Sequence, residues 1–104
     1  MNQLVHNRLG DLRRLCEKHH VDQLDLFGSA AEDRFNSEKS DLDFLVEFKK
    51  LPPAKLADTY FALLNDLRDL YGRPIDLVMA SAVRNRYFLE QLQATKVPLY
   101  ALAS

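Results

Sequence analysis

The chain has 104 residues, of which 47% are hydrophobic, and its 14 basic and 15 acidic residues leave a formal net charge of −1. This length predicts a single domain, residues 1–104, which is large enough for a hydrophobic core but small for an enzyme that must also bind a second substrate. The near-zero charge excludes a general electrostatic attraction to nucleic acid or to a membrane surface.

Cys16 is the single cysteine, so an internal disulfide is excluded. The first residues lack the apolar run of a signal peptide, and no stretch approaches the roughly 18 apolar residues of a membrane-spanning helix. These features predict a soluble, cytoplasmic protein without direct contact with nucleic acid or membrane.

The N-terminal segment, residues 2–18, is predicted to form one amphipathic helix that covers a sheet, because its apolar residues recur at helical spacing. His19 and His20 follow at the negative end of the helix dipole. Cys16-x-x-His19 has the spacing of half a zinc site, but there is no second pair of ligands to complete it. The favoured interpretation is therefore a solvated helix end.

A strand, a tight turn and a helix start follow one another around Gly28. The apolar run of Leu24, Leu26 and Phe27 ends at Gly28, and Ser29 opens a segment of helical character. Free backbone N–H groups and the helix dipole at such a start favour a bound phosphate. Ser29 to Glu32 also fits a capping box, which is the alternative, purely structural role of Ser29.

Asp41 and Asp43 share one face of the next predicted strand, Asp41 to Phe48, whose apolar residues alternate at period two. Carboxylates at i and i+2 on a strand lie roughly 6.6 Å apart at Cα. This spacing suits a hard divalent cation, with Mg²⁺ as the expected ion. The alternative is a pair of solvated carboxylates on an exposed face. Glu47, further along the same face, is predicted to be a surface charge.

A long core-facing helix is predicted between Pro53 and a stop at Gly72, because leucines and Tyr60 recur at spacings of three and four. Phe61 and Leu64 widen its apolar stripe enough to leave some surface for a partner. The apolar residues that recur at these spacings are Leu56, Tyr60, Leu63, Leu67 and Leu70.

A third acid, Asp76, lies inside the predicted strand Pro74 to Met79. A buried, unpaired acid costs several kcal/mol, so we expect Asp76 to line a cleft or bind a cation. A last helix capped by Ser81 and containing Arg84 to Leu92, and an edge strand over Val97 to Tyr100, complete an α/β domain.

The combination of Gly28-Ser29, an eleven-residue gap, Asp41-Leu42-Asp43 and the acid of Pro74 to Val78 resembles the motif of the polymerase-beta-like nucleotidyltransferases. The similarity covers nearly the whole chain. It is strongest to the minimal (MNT) branch, the antitoxin partners of HEPN-domain toxins. The resemblance implies a nucleotidyltransferase fold with a mixed sheet of about four strands flanked by helices.

The resemblance also implies residue roles. Asp41 and Asp43 would ligate two Mg²⁺ ions. Asp76 would complete the ligands of the ion that binds the attacking hydroxyl, and it would help remove the proton of that hydroxyl. Gly28 and Ser29 would hold the β- and γ-phosphates of ATP. The implied reaction transfers AMP to a hydroxyl, with a tyrosine of a cognate HEPN toxin as the expected acceptor. The chain would then be the antitoxin of a type VII toxin–antitoxin system, in a hetero-oligomer with the toxin.

Two alternatives stay open. In the first, a domain of the same fold neutralises its toxin by occlusion alone. Glu32 and Asp33 keep this alternative open, because relatives often carry Arg or Gly there and two acids would repel a triphosphate unless they point away. Against it, three retained acids need a cation to relieve their repulsion.

The second alternative is transfer of AMP to a small molecule such as an aminoglycoside. It needs an acceptor pocket, and the chain is short for one.

Overall fold

A four-stranded mixed sheet is the centre of the structure, a computed structural model that describes residues 3–28 and 41–101. In chain order the elements are α1 Gln3–His6, α2 Leu9–Lys18, β1 Val21–Phe27, β2 Leu42–Phe48, α3 Pro53–Tyr71, β3 Ile75–Met79, the 3₁₀ helix Ala80–Ala82, α4 Arg86–Thr95 and β4 Val97–Ala101. Helix α3 connects β2 to β3, and the 3₁₀ helix and α4 lie between β3 and β4.

The strands lie in the order β3-β2-β1-β4. Strand β1 is antiparallel to both of its neighbours, whereas β2 and β3 are parallel. A parallel pair needs a long crossover, and α3 supplies it. The predicted α/β fold with a mixed sheet of about four strands is confirmed, and β4 lies at an edge of the sheet as predicted.

The sheet buries side chains on both faces. On one face, Leu42, Phe44 and Val46 of β2 are fully buried in the main core, to which α2 and α3 contribute. On the other face, Leu45 packs in a smaller cluster with Leu92 of α4. Because side chains alternate along a strand, Asp43 lies on the second face, as the period-two pattern predicted.

The N-terminal segment forms two helices, so the prediction of one continuous helix is wrong. Arg8 has φ −119° and ψ 19°, outside the helical region, and its N–H donates to Val5 O in a short i−3 bond of 3.1 Å. The side chain of Gln3 donates to Asn7 Oδ1 at 2.7 Å. A side-chain bond at i and i+4 stabilises the single turn of α1, and it ends at Asn7, directly before the non-helical Arg8. The amphipathic pattern itself is confirmed, because Leu12 and Cys16 are fully buried.

His19 is buried, with only 7% of its surface exposed, so the interpretation of a solvated helix end is wrong at this residue. Its Nε2 lies 2.6 Å from Asp66 Oδ2 on α3, and Lys18 Nζ lies 3.3 Å from the same oxygen. The hydrogen bond with His19 is the main cause that lowers the pKa of Asp66. The end of α2 is therefore anchored to α3.

Helices α3 and α4 differ in how well their ends were predicted. Helix α3 ends as expected at Gly72, whose φ of +62° closes the last turn with a 2.7 Å bond from its N–H to Arg68 O. Helix α4 begins at Arg86 and not near Ser81, which lies in the 3₁₀ helix. Asn85 is its cap, because Asn85 Oδ1 accepts from Phe88 N–H at 3.1 Å. Across the described ranges, no helix has the length and apolar character needed to span a membrane.

Candidate active site

The parallel pairing of β2 and β3 sets Asp43 directly opposite Asp76. Neighbouring strands lie about 4.8 Å apart, so the two carboxylates leave the sheet side by side. Asp41 lies immediately before β2 and is exposed. The structure thus brings together the three acids that the sequence pointed to, although 33 positions separate Asp43 from Asp76 in the chain.

Asp43 has an acidic environment. Burial is the main cause that raises its pKa to about 6, and the negative charges of Asp76 and Asp41 raise it further. Asp43 is half-buried, whereas Asp41 and Asp76 are exposed. Negative charge on all three carboxylates would be costly without a cation, because like charges repel strongly at a partly desolvated site.

Gly28 stands against the Asp43 carboxylate at the end of β1. Phe27, the residue before it, is the register partner of Asp43. Gly28 has φ +72°, and a Cβ at this position would collide with Asp43 Oδ2. Glycine is therefore required both for the backbone turn and for the room that Asp43 occupies. The sequence predicted the turn but not the contact with Asp43.

The predicted phosphate contact of Ser29, its capping box with Glu32, and the repulsion expected from Glu32 and Asp33 all lie outside the described residues. These roles stay predictions.

The three carboxylates form a donor set that fits a hard cation such as Mg²⁺, since all of their donor atoms are oxygens. The repulsion that raises the pKa of Asp43 is what a bound cation would relieve. As they stand, no three His, Cys, Asp or Glu side chains within residues 3–28 and 41–101 converge enough to enclose an ion. Asp41 and Asp76 are exposed, and a bound ion would require their side chains to turn toward Asp43.

Tyr60 is a neighbour of this site that the sequence pattern did not reveal, because its helical spacing indicated only a core residue. Its hydroxyl donates to Leu77 O, one residue after Asp76, at 2.7 Å. Burial, and then the charge of Asp76, raises the pKa of Tyr60, while Arg68 lowers it. The polar tip of a tyrosine in an otherwise apolar stripe was the available signal.

Shallow clefts of about 540 and 420 Å³ lie along α2 and α3, away from the carboxylates. Their walls carry both signs of charge, for example Lys55 and Asp58 in the larger one. Asp43 and its two acidic neighbours line neither cleft. We place the candidate active site at the carboxylates, because the strand pairing sets Asp43 opposite Asp76 and the charge of Asp41 acts on Asp43 as well.

Residues 12–99 match the sequence model of the nucleotidyltransferase domain. The chain belongs to this family. A protein of Methanocaldococcus jannaschii (MJ0128), provisionally named a protein adenylyltransferase, is 38% identical over 79 residues, which are 76% of each chain. This nucleotidyltransferase therefore has the enzyme class that its motif indicated.

Solved structures of similar fold agree with this membership. One, described provisionally as a minimal nucleotidyltransferase, is 27% identical with a TM-score of 0.69, covering 90% of this nucleotidyltransferase and 91% of the other chain. A toxin–antitoxin structure with AMP-PNP is 17% identical with a TM-score of 0.67, covering 90% and 73%. A complex of a tri-AMPylated HEPN toxin of Shewanella oneidensis with its MNT antitoxin is 18% identical with a TM-score of 0.64, covering 98% and 74%. The last two show likeness of fold alone.

Proposed function

We propose that the chain is a Mg²⁺-dependent adenylyltransferase that transfers AMP from ATP to a tyrosine hydroxyl of a HEPN-domain toxin, and so acts as the antitoxin of a type VII system. The observation that carries the proposal is the side-by-side placement of Asp43 and Asp76, with Asp41 nearby and Gly28 against Asp43. Three carboxylates beside a glycine turn suit phosphoryl chemistry.

Each residue has a distinct task in this proposal. Asp41, Asp43 and Asp76 would hold the metal ions, and Asp76 would also face the acceptor. Two Mg²⁺ ions, when bound, neutralise the carboxylates and stabilise charge on the transferring phosphoryl group. Gly28, together with Ser29, holds the β- and γ-phosphates through backbone N–H groups.

The proposed reaction is a displacement at the α-phosphorus of ATP. The acceptor oxygen forms a bond to this phosphorus, the bond to the bridging oxygen of the β-phosphate breaks, and pyrophosphate leaves. Asp76 is exposed at the edge of the site, where an acceptor hydroxyl can approach and give up its proton to the carboxylate.

Three comparisons support the partner and the donor. The name of the M. jannaschii relative proposes protein adenylylation. One solved complex of the same fold has AMP-PNP, and another pairs an AMPylated HEPN toxin with its MNT antitoxin. We propose a hetero-oligomer with such a toxin in the cytoplasm. Phe61 of α3, 64% exposed, is an apolar side chain available for such a contact.

The test uses the chain together with the product of the neighbouring reading frame, which should be a small helical protein with an R-x₄-H motif. The purified pair is incubated with ATP and Mg²⁺, and mass spectrometry follows the partner. We expect a gain of one or more AMP units on tyrosine. Asp41→Asn, Asp43→Asn and Asp76→Asn should each lower the rate by about 10²–10³-fold or more. Gly28→Val should fail as well, because its side chain would displace Asp43.

Glu47→Gln is the matched control, because Glu47 is an exposed acid on the same strand and lies four residues beyond Asp43. This variant should transfer AMP at the wild-type rate, and every variant should still bind the partner. If the wild type and all variants neutralise the partner and none of them modifies it, the enzymatic proposal is contradicted. The chain would then be an occluding module.

A further inference from the structure

Strand β3 carries Asp76 at an edge of the sheet. Within the described ranges it pairs with β2 alone. Leu42 N–H donates to Pro74 O at 3.4 Å, so the alternate backbone groups of Pro74, Asp76 and Val78 face β2. The carbonyl of Leu77 therefore points away from the sheet. An edge carbonyl of this kind needs a partner from outside the ladder.

Tyr60 provides that partner from helix α3. Its hydroxyl donates to Leu77 O at 2.7 Å, which ties α3 to β3 one residue after Asp76. The ring of Phe61 packs edge-on against the Tyr60 ring, with centroids 5.1 Å apart and an interplanar angle of 83°. An edge-to-face pair restricts the orientation of both rings. The exposed Phe61 thus supports the orientation of Tyr60.

We propose that Tyr60 is a positioning residue for the transfer reaction: through its bond to Leu77 O it fixes the edge strand and thereby holds Asp76 opposite Asp43. This proposal rests on the metal site of the proposed function. Tyr60 itself touches no reacting atom. Burial is the main cause that raises the pKa of Tyr60, and the charge of Asp76 raises it further, which agrees with the closeness of the two side chains.

The first test is kinetic and separates kcat from KM in the chain–partner pair. Tyr60→Phe keeps the ring and removes only the donor. Because Asp76 belongs to the acceptor side of the site, we expect kcat to fall about tenfold, since even a small displacement of a catalytic group lowers the rate. The KM for ATP should stay within about twofold, because the phosphates are held at Gly28 and Ser29.

Tyr71→Phe is the matched control, because Tyr71 lies on the same helix and its buried hydroxyl has no hydrogen-bond partner among the described residues. It should leave kcat unchanged. Equal rates for wild type and Tyr60→Phe would overturn the role of Tyr60 while leaving the proposed function intact. A wild-type chain that transfers no AMP would overturn the proposed function itself.

The second test needs no activity. Amide hydrogen exchange of the chain alone reports on the bonds that Asp76 and Val78 make to β2. In Tyr60→Phe these two amides should exchange about tenfold faster. Amides of β1 should exchange faster only by the amount that the change in global stability accounts for. Unchanged exchange at Asp76 and Val78 would overturn the proposal, because the strand would then be fixed without Tyr60.

A double-mutant cycle tests the supporting ring. Phe61→Ala should lower kcat in the wild type but have no further effect in Tyr60→Phe, since Phe61 is proposed to act through the Tyr60 hydroxyl. If Phe61→Ala leaves kcat unchanged in the wild type, or lowers kcat by the same factor in both backgrounds, the supporting role of Phe61 is wrong. A higher KM for the partner in both backgrounds reports separately on the docking contact proposed above.

Discussion

At the scale of single residues, Asp43 links the charge of the site to pH. Its pKa is raised from 3.8 to about 6 by burial and by Asp76 and Asp41. An acid with a raised pKa binds its proton more tightly in the folded than in the unfolded chain. Its contribution to stability is therefore fully present below the unfolded pKa and is lost as pH rises through the folded value.

We therefore expect the stability of the metal-free chain, relative to Asp43→Asn, to fall as the pH rises from about 4 to about 7. Thermal melts of both proteins in a chelator measure this difference, and the carboxylates that do not interact with Asp43 cancel in it. Mg²⁺ should restore the wild type at pH 7 but not at pH 4, where Asp43 is protonated and cannot bind the ion. Parallel curves for the two proteins would show that Asp43 lies in an ordinary environment.

At the scale of elements, a buried ion pair fastens the end of α4 to the sheet. Asp25 of β1 is 2% exposed, and Lys96, directly after α4, donates to Asp25 Oδ2 at 3.1 Å. Gln23 Nε2 lies 3.1 Å from both Asp25 oxygens. These bonds hold α4 over the face of the sheet that also carries Asp43.

Lys96→Met should destabilise the chain by about 3 kcal/mol, because removal of one partner leaves a buried, uncompensated charge. Urea unfolding measures the loss. Adding Asp25→Leu should recover most of it, since a buried pair replaced by apolar residues is often neutral. Lys50→Met, at an exposed loop lysine, is the control and should be silent. If Lys96→Met is as stable as this control, water already satisfies Asp25.

The elements that were predicted well are those with a local signal. Strand β2 has apolar residues at period two from Leu42 to Phe48, and α3 has a long apolar stripe closed by Gly72. The break at Arg8 and the cap at Asn85 were missed because several polar residues compete for such places, and packing selects among them. The bonds His19–Asp66 and Lys96–Asp25 join residues 47 and 71 positions apart. No local pattern carries contacts of that range.

At the scale of the whole molecule, the site depends on topology. Spacing alone predicted that Asp41 and Asp43 share a face, but their meeting with Asp76 requires β3 to lie parallel to β2 in one particular register. The family motif supplied that information in advance. The motif carried no signal for Tyr60, whose role depends on how α3 crosses the sheet edge.

The whole site is tested by metal-dependent nucleotide binding. ATP should raise the melting temperature only with Mg²⁺ or Mn²⁺, because a free triphosphate meets three acids as a like charge. At 100 times Kd, binding stabilises a protein by about 2.7 kcal/mol, which corresponds to a shift of roughly 10 °C or more for a domain of this size. Glu47→Gln should keep the shift and Asp43→Asn should lose it. An equal shift with ATP in a chelator would place the nucleotide elsewhere, because a metal-free triphosphate is repelled by the negative charges of Asp41, Asp43 and Asp76.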